Sequence, residues 1–120
     1  MNRRLGHELV DDVVDELDGY VSNECRDKAF DLARRAELTH PINRSPKVVA
    51  ASAVYLAGLL VNEKQTQEVV AEAGDVSEPS IRDCYNEMAI HEGYKTEDEG
   101  PYVRVGRDPS ILGRVRGWLS

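Results

Sequence analysis

An all-α fold of five helices is what this 120-residue sequence predicts, and three features carry the prediction. Five segments repeat apolar residues at helical spacing, between acidic and polar residues that would face water. Four of the five open on a serine or threonine suited to capping a helix, two of them with proline in the first turn. A period-two strand pattern stands out nowhere, except weakly at residues 102–105, and there is no internal repeat.

The first helix is expected over residues 5–18, with Leu5, Leu9, Val13 and Leu17 at steps of four, and Gly19 ends it. The second starts at Ser22 and places Cys25, Ala29, Leu32, Ala33 and Ala36 on one face. It stops before THPINRSP, where Pro41 and Pro46 disfavour helix and the residues between them read as a loop. Ser45-Pro46 then reads as a cap followed by the first helical residue. The run VVAASAVYLAGLLV behind it is apolar nearly all round, so the third helix is the buried hub of the domain. A fourth helix runs from Thr66 through Val69, Val70 and Ala73 to Gly74-Asp75. The fifth starts at Ser77, with Glu78 favourable to the helix dipole, Pro79 tolerated in the first turn, and a buried stripe of Ile81, Cys84, Tyr85 and Met88. The helical domain is assigned to residues 1–92. Residues 93–120 read as a loosely structured tail, broken by glycines, Pro101 and Pro109, in which SILGRVRGWLS can form a short terminal helix.

Composition narrows the functional classes. No apolar run reaches the roughly 18 residues of a membrane span, and the start has no signal-peptide core, so the reading is a cytoplasmic protein with no membrane partner. Cys25 and Cys84 lie 59 positions apart, both in apolar stripes, and read as reduced core residues. His7, His40 and His91 share no ligand spacing with them, so no metal and no cofactor is expected. No phosphate loop, nucleophile elbow or catalytic carboxylate pair is present, which argues against an enzyme and against a small-molecule substrate.

The net charge is −7, from 22 acidic against 15 basic residues. Taken alone it opposes DNA binding, which rests on Lys and Arg neutralising phosphates. Only four of the cations are lysine, however, and the carboxylates are spread along the chain instead of forming one acidic tail, a pattern of adaptation to high salt in which net charge sets solubility more than partner choice. Arg34 and Arg35 with Lys28 alternate with Asp27, Asp31 and Glu37, and read as a solvated ion-pair face. Arg104, Arg107, Arg114 and Arg116 give residues 102–118 a local positive charge interrupted by Asp108 alone, suited either to a DNA backbone or to keeping a tail soluble.

The stretch TQEVVAEAGDVSEPSIRDCYNEM has helix-turn-helix logic. Val70 and the small Ala71 face the second helix, Val76 plugs the corner and Ile81 anchors the pair. A structural helix corner meets the same demands. What faces outward at the start of the second helix is Glu78, Pro79, Ser80 and Arg82. Arg82 can fork onto guanine or bond phosphate, and Ser80 can bond either, while Glu78 and Asp83 oppose phosphate.

Residues 9–91 resemble a cyclin-like repeat of archaeal transcription initiation factor IIB, the second repeat in particular. The resemblance rests on Ser45-Pro46, Ala50-Ala51, Tyr55, Thr66-Gln67, Val70-Ala71, Val76-Ser77, Ile81-Arg82 and Tyr85, which follow the family's order over some 45 residues. It implies a five-helix cyclin-like domain whose helix-turn-helix enters the major groove of promoter DNA beside the TATA box, with TATA-binding protein and RNA polymerase as further partners. By position it makes Arg82 and Pro79 the base-contacting pair, supported by Ser80 and Ser77. The family usually has valine where Pro79 stands. It also carries a zinc ribbon, a polymerase-entering linker and two repeats, of which this chain has one repeat. The rival reading is a protein-interaction module that has kept the cyclin-like fold and lost DNA binding.

Overall fold

The third predicted helix is the axis of the molecule. In the computed structural model, which describes residues 5–17, 21–39 and 42–94, α3 (Pro46–Leu60) is buried along nearly its whole length from Val49 onward. Four helices wrap it: α1 (Gly6–Glu16), α2 (Asn23–Leu38), α4 (Gln67–Gly74) and α5 (Glu78–His91). The described residues hold these five helices and no strand. Because α3 contributes mostly alanine, glycine and valine, its neighbours approach closely, and one apolar core fills the space between all five. None of the described helices is long and apolar enough to cross a membrane.

The caps follow the sequence. The side chains of Ser22, Ser45, Thr66 and Ser77 each accept a hydrogen bond from the backbone N–H three residues on. Each satisfies a donor that the helix leaves unpaired. The start of α1 is capped from outside: Glu37 of α2 accepts from Gly6 N at 2.5 Å, His7 N at 3.0 Å and His7 Nδ1 at 2.9 Å. Likewise Glu63, in the α3–α4 connection, accepts from the backbone and hydroxyl of Ser22 and pins the start of α2.

The face of α1 differs from the expected one. Its buried apolar side chains are Val10, Val13 and Val14, with Leu17 just past its end, whereas Leu9 is half-buried and Leu5 is exposed. A strict step of four drifts about 40° per step around a helix, while alternating steps of three and four hold one face. The valines obey the second rule.

Gly93 is described at φ +82°, a conformation open to glycine without strain. It turns the chain back, so that Tyr94 N donates to Ala89 O at 2.8 Å and Gly93 N to Ile90 O at 3.1 Å. This Schellman turn drops Tyr94 into the core at 2% exposure, beneath the Lys28 ammonium, which lies 5.5 Å from its ring centre. Residue 94, which the sequence reading assigns to the tail, therefore packs with the helices. The remainder of the expected tail, its short terminal helix included, lies outside the described residues, as does Gly19.

Candidate nucleic-acid interface

The α4–α5 pair is held by the residues expected of a helix-turn-helix. Val70 and Ile81 are fully buried, Ala71 nearly so, and Val76 is half-buried at the corner. The last turn of α4 closes with Val76 N donating to Ala71 O at 3.0 Å, and Asp75 stands in the left-handed region at φ 57°, ψ 48°. Aspartate tolerates that region better than most residues, which leaves Gly74 for a different task. A Cβ there would sit 2.9 Å from Ala51 Cβ, so its absence lets α4 lie directly against α3. The second helix leans more on α3 than on α4. Tyr85 stacks edge-on to Tyr55 of α3 with ring centres 4.8 Å apart, and Cys84 is fully buried beside it. The position of α5 is thus set by the hub helix as much as by α4.

Against that scaffold the first turn of α5 projects outward. Ser77 Oγ accepts from Ser80 N at 3.3 Å and lies 2.7 Å from Ser80 Oγ. One of the two hydroxyl protons is used between them, and the other can point outward. Pro79 is exposed in the first turn, presenting its ring edge where it has no N–H to satisfy. Arg82 is exposed one turn further along. The four residues expected to contact DNA therefore lie together on one helix end, Ser77 being partly committed to the cap.

The surrounding charges are mixed in sign. Lys47 Nζ bonds Asp75 at 3.0 Å and Arg44 bonds Glu87 at 3.3 Å, so two basic residues that sequence reasoning did not associate with this site neutralise acids beside it. Both precede or open α3, and only the fold brings them to the α4–α5 pair. Arg82 makes no ion pair among the described residues; burial, and after it Tyr55, push the Tyr85 pKa up, against a smaller downward pull from the Arg82 charge. Glu78 and Asp83 flank it, exposed. The face is neither the continuous positive patch of a strong nucleic-acid binder nor a continuous acidic one.

The arginines of α2 resolve differently from the expected ion-pair face. Arg35 reaches Glu92 just past the end of α5 at 2.8 Å, and Glu37 is taken by the start of α1. Long side chains on a packed helix find partners on neighbouring helices whose positions the fold fixes, and Glu92, at 10% exposure, is already held in place when Arg35 reaches it. Arg34 is exposed and makes no ion pair among the described residues. Arg104, Arg107, Arg114 and Arg116 lie outside the described residues. No group of three or more potential metal-ligating side chains is held together among the described residues.

Comparison with known proteins agrees with this geometry. The family model described as the transcription factor TFIIB repeat matches residues 6–91, the extent of the five helices. Among curated relatives, transcription initiation factor IIB of Archaeoglobus fulgidus is 40% identical over 70 residues, 58% of this chain and 22% of the relative. Transcription initiation factor IIB 2 of Haloferax volcanii is 44% identical over 70 residues, 57% of this chain and 21% of the relative. Transcription initiation factor IIB 6 of Halobacterium salinarum is 43% identical over 70 residues, with 57% and 22% covered. The alignments thus span about a fifth of the length of these relatives. With the family model covering well over half of the sequence and all five helices in place, the chain belongs to the transcription factor TFIIB repeat family.

Proposed function

We propose that the chain is a promoter-associated transcription protein that lays the first turn of α5 in the major groove of double-stranded DNA. Arg82 is its main contact to a base edge or phosphate. Pro79 offers an apolar contact to a thymine methyl, the Ser77–Ser80 pair offers a hydroxyl proton, and the cap holds all of them in register. The observation that carries the reading is the state of Arg82. The basic residues around it, Arg44 and Lys47, are committed to Glu87 and Asp75, while Arg82 is exposed and without an ion pair among the described residues. A guanidinium left unpaired at the open end of a recognition helix, in a member of this family, has its donors available for a fork onto guanine or phosphate.

Mixed charge around the site sets the expected strength. Glu78 and Asp83 repel phosphate, and a single repeat makes few phosphate contacts, so affinity in isolation is low. In the longer relatives the repeat is a small part of the protein, and a TATA-binding protein already on the promoter would supply the missing contacts by raising effective concentration. The experiment is a mobility-shift titration of a random-library duplex, with and without TATA-binding protein, at two salt concentrations. Arg82→Ala should weaken binding by about 1–3 kcal/mol, roughly 5- to 150-fold, wherever the wild type binds. Equal behaviour of the two proteins throughout would reduce Arg82 to a surface arginine.

A second reading is favoured by one observation. Phe30 and Leu38, two turns apart on α2, are 45% and 58% exposed, with the Phe30 ring edge-on to His7 of α1 at 5.3 Å, and this apolar surface is what a partner could cover. A protein partner seated on α2 would bind regardless of Arg82, and failure of DNA binding under every condition above would put this reading first.

A further inference from the structure

A groove runs between α1 and α4, bounded at one end by Lys47 of α3 and Asp75 of the α4–α5 turn. Its wider part is a cavity of about 400 Å³ floored by Leu9, Val13, Ala73 and Gly74, and it ends at the α4–α5 turn. A second cavity of about 260 Å³ shares Glu16 and Ala73 with the first and continues past Val69, which is 40% exposed. The walls are acidic. Asp12, Asp15, Glu16 and Asp75 line the wider part and Glu72 the narrower; among the described residues Lys47 is the one cation of the lining, bonded to Asp75, and Arg26 of α2 reaches Asp15 from outside it at 3.5 Å. A strip of apolar floor between carboxylate walls excludes nucleic acid and selects a segment with apolar side chains among cations.

The chain contains such a segment. Residues 102–118 carry four arginines against one aspartate, and Ile111, Leu112, Val115 and Trp118 interleave with Arg114 and Arg116. From Tyr94, the last described residue, to Ser110 is a span of sixteen residues, up to roughly 50 Å when extended. The longest helix here, α2, is about 24 Å long. The groove is therefore within reach wherever the chain leaves α5.

We propose that the arginine-rich segment around residues 110–119 docks in the α1–α4 groove of its own chain, Trp118 and its apolar neighbours on the floor of Leu9, Val13 and Ala73, Arg114 and Arg116 against the acidic walls. Docking there would bring cations to the Asp75 turn and offset the acidity beside α5. The docking itself stands whether or not α5 binds DNA.

Trp118 is the sole tryptophan of the sequence and reports the contact directly. In the full chain its emission should be blue-shifted and shielded from acrylamide, independent of protein concentration. The double substitution Glu16→Lys with Glu72→Lys, at two exposed wall positions, should shift the emission to the red and open it to quenching while the far-UV circular dichroism is unchanged. The same charge change placed on α2 outside the groove, Glu24→Lys with Asp27→Lys, should leave the emission as it was. A wild-type Trp118 already as exposed as free tryptophan would overturn the proposal. So would shielding that both double variants retain equally, and shielding that grows with protein concentration would assign the groove to a second copy's segment instead.

Discussion

Gly74→Ala probes the contact that sets α4 on the hub helix. The added methyl would lie 2.9 Å from Ala51 Cβ and 3.7 Å from Val13 Cγ2, with the Ala51 backbone behind at 3.8 Å. Two methyl carbons settle at about 3.5–4 Å, so α4 must retreat from α3 by roughly half an ångström or more. Overpacking of this kind costs about 1–3 kcal/mol. Replacing glycine in a helix returns up to about 1 kcal/mol, less at the final residue of α4. The net expectation is a loss of about 0.5–2 kcal/mol. Ala51→Gly alone also destabilises, since it removes a buried methyl worth about 0.8 kcal/mol and places glycine inside α3. Combined, the two changes move the methyl across the contact, and the double variant should be more stable than the sum of the single effects by about 1 kcal/mol. Urea unfolding followed by far-UV circular dichroism measures all four corners of the cycle. Additivity within about 0.5 kcal/mol would refute the reasoning, because the two positions would then not be in contact.

Three further expectations concern other parts of the molecule. Ser77→Ala, which removes the cap of α5, should cost about 0.5–2 kcal/mol, read by the same unfolding assay, whereas a loss below a few tenths would mean the cap contributes nothing. Burial pushes the Cys25 thiol up to about 11 from 9.0 and raises Cys84 in the same direction. A raised pKa means the folded state holds its proton longer, so this stability is complete below pH 9 and is lost between about pH 9 and 11. Cys25→Ala should flatten that alkaline decline. Finally, the carboxylate-rich surface repels itself when unscreened, so the thermal midpoint should rise from low to molar salt; a flat or falling midpoint would remove high-salt adaptation as the account of the net charge.

Much of the fold was legible because its signals are local. The caps at Ser22, Ser45, Thr66 and Ser77, the prolines after two of them, and the apolar run of α3 each depend on a few neighbouring residues. The register of α1 was less so. GHELVDDVVDE contains two overlapping apolar stripes, and only contact with α3 selects the valines. The turn at Gly93-Tyr94 carried a readable signal, glycine followed by an aromatic, hidden by the polar residues behind it. At the candidate site the outward residues of α5 follow from helix phase alone. Their electrostatic setting does not, because Arg44 and Lys47 reach Glu87 and Asp75 across more than 25 residues of chain, and no spacing rule links them.

The measurement closest to the central claim is photocrosslinking from α5 to a promoter duplex in the presence of TATA-binding protein. A photoreactive amino acid at position 79, exposed in the first turn of α5, should crosslink to bases flanking the TATA box, and Arg82→Ala in the same protein should reduce that adduct in proportion to the lost affinity. The same probe at position 38, exposed on α2, should give none. Crosslinks to DNA from position 38 with none from position 79 would contradict the account and move any DNA-facing surface off the helix-turn-helix.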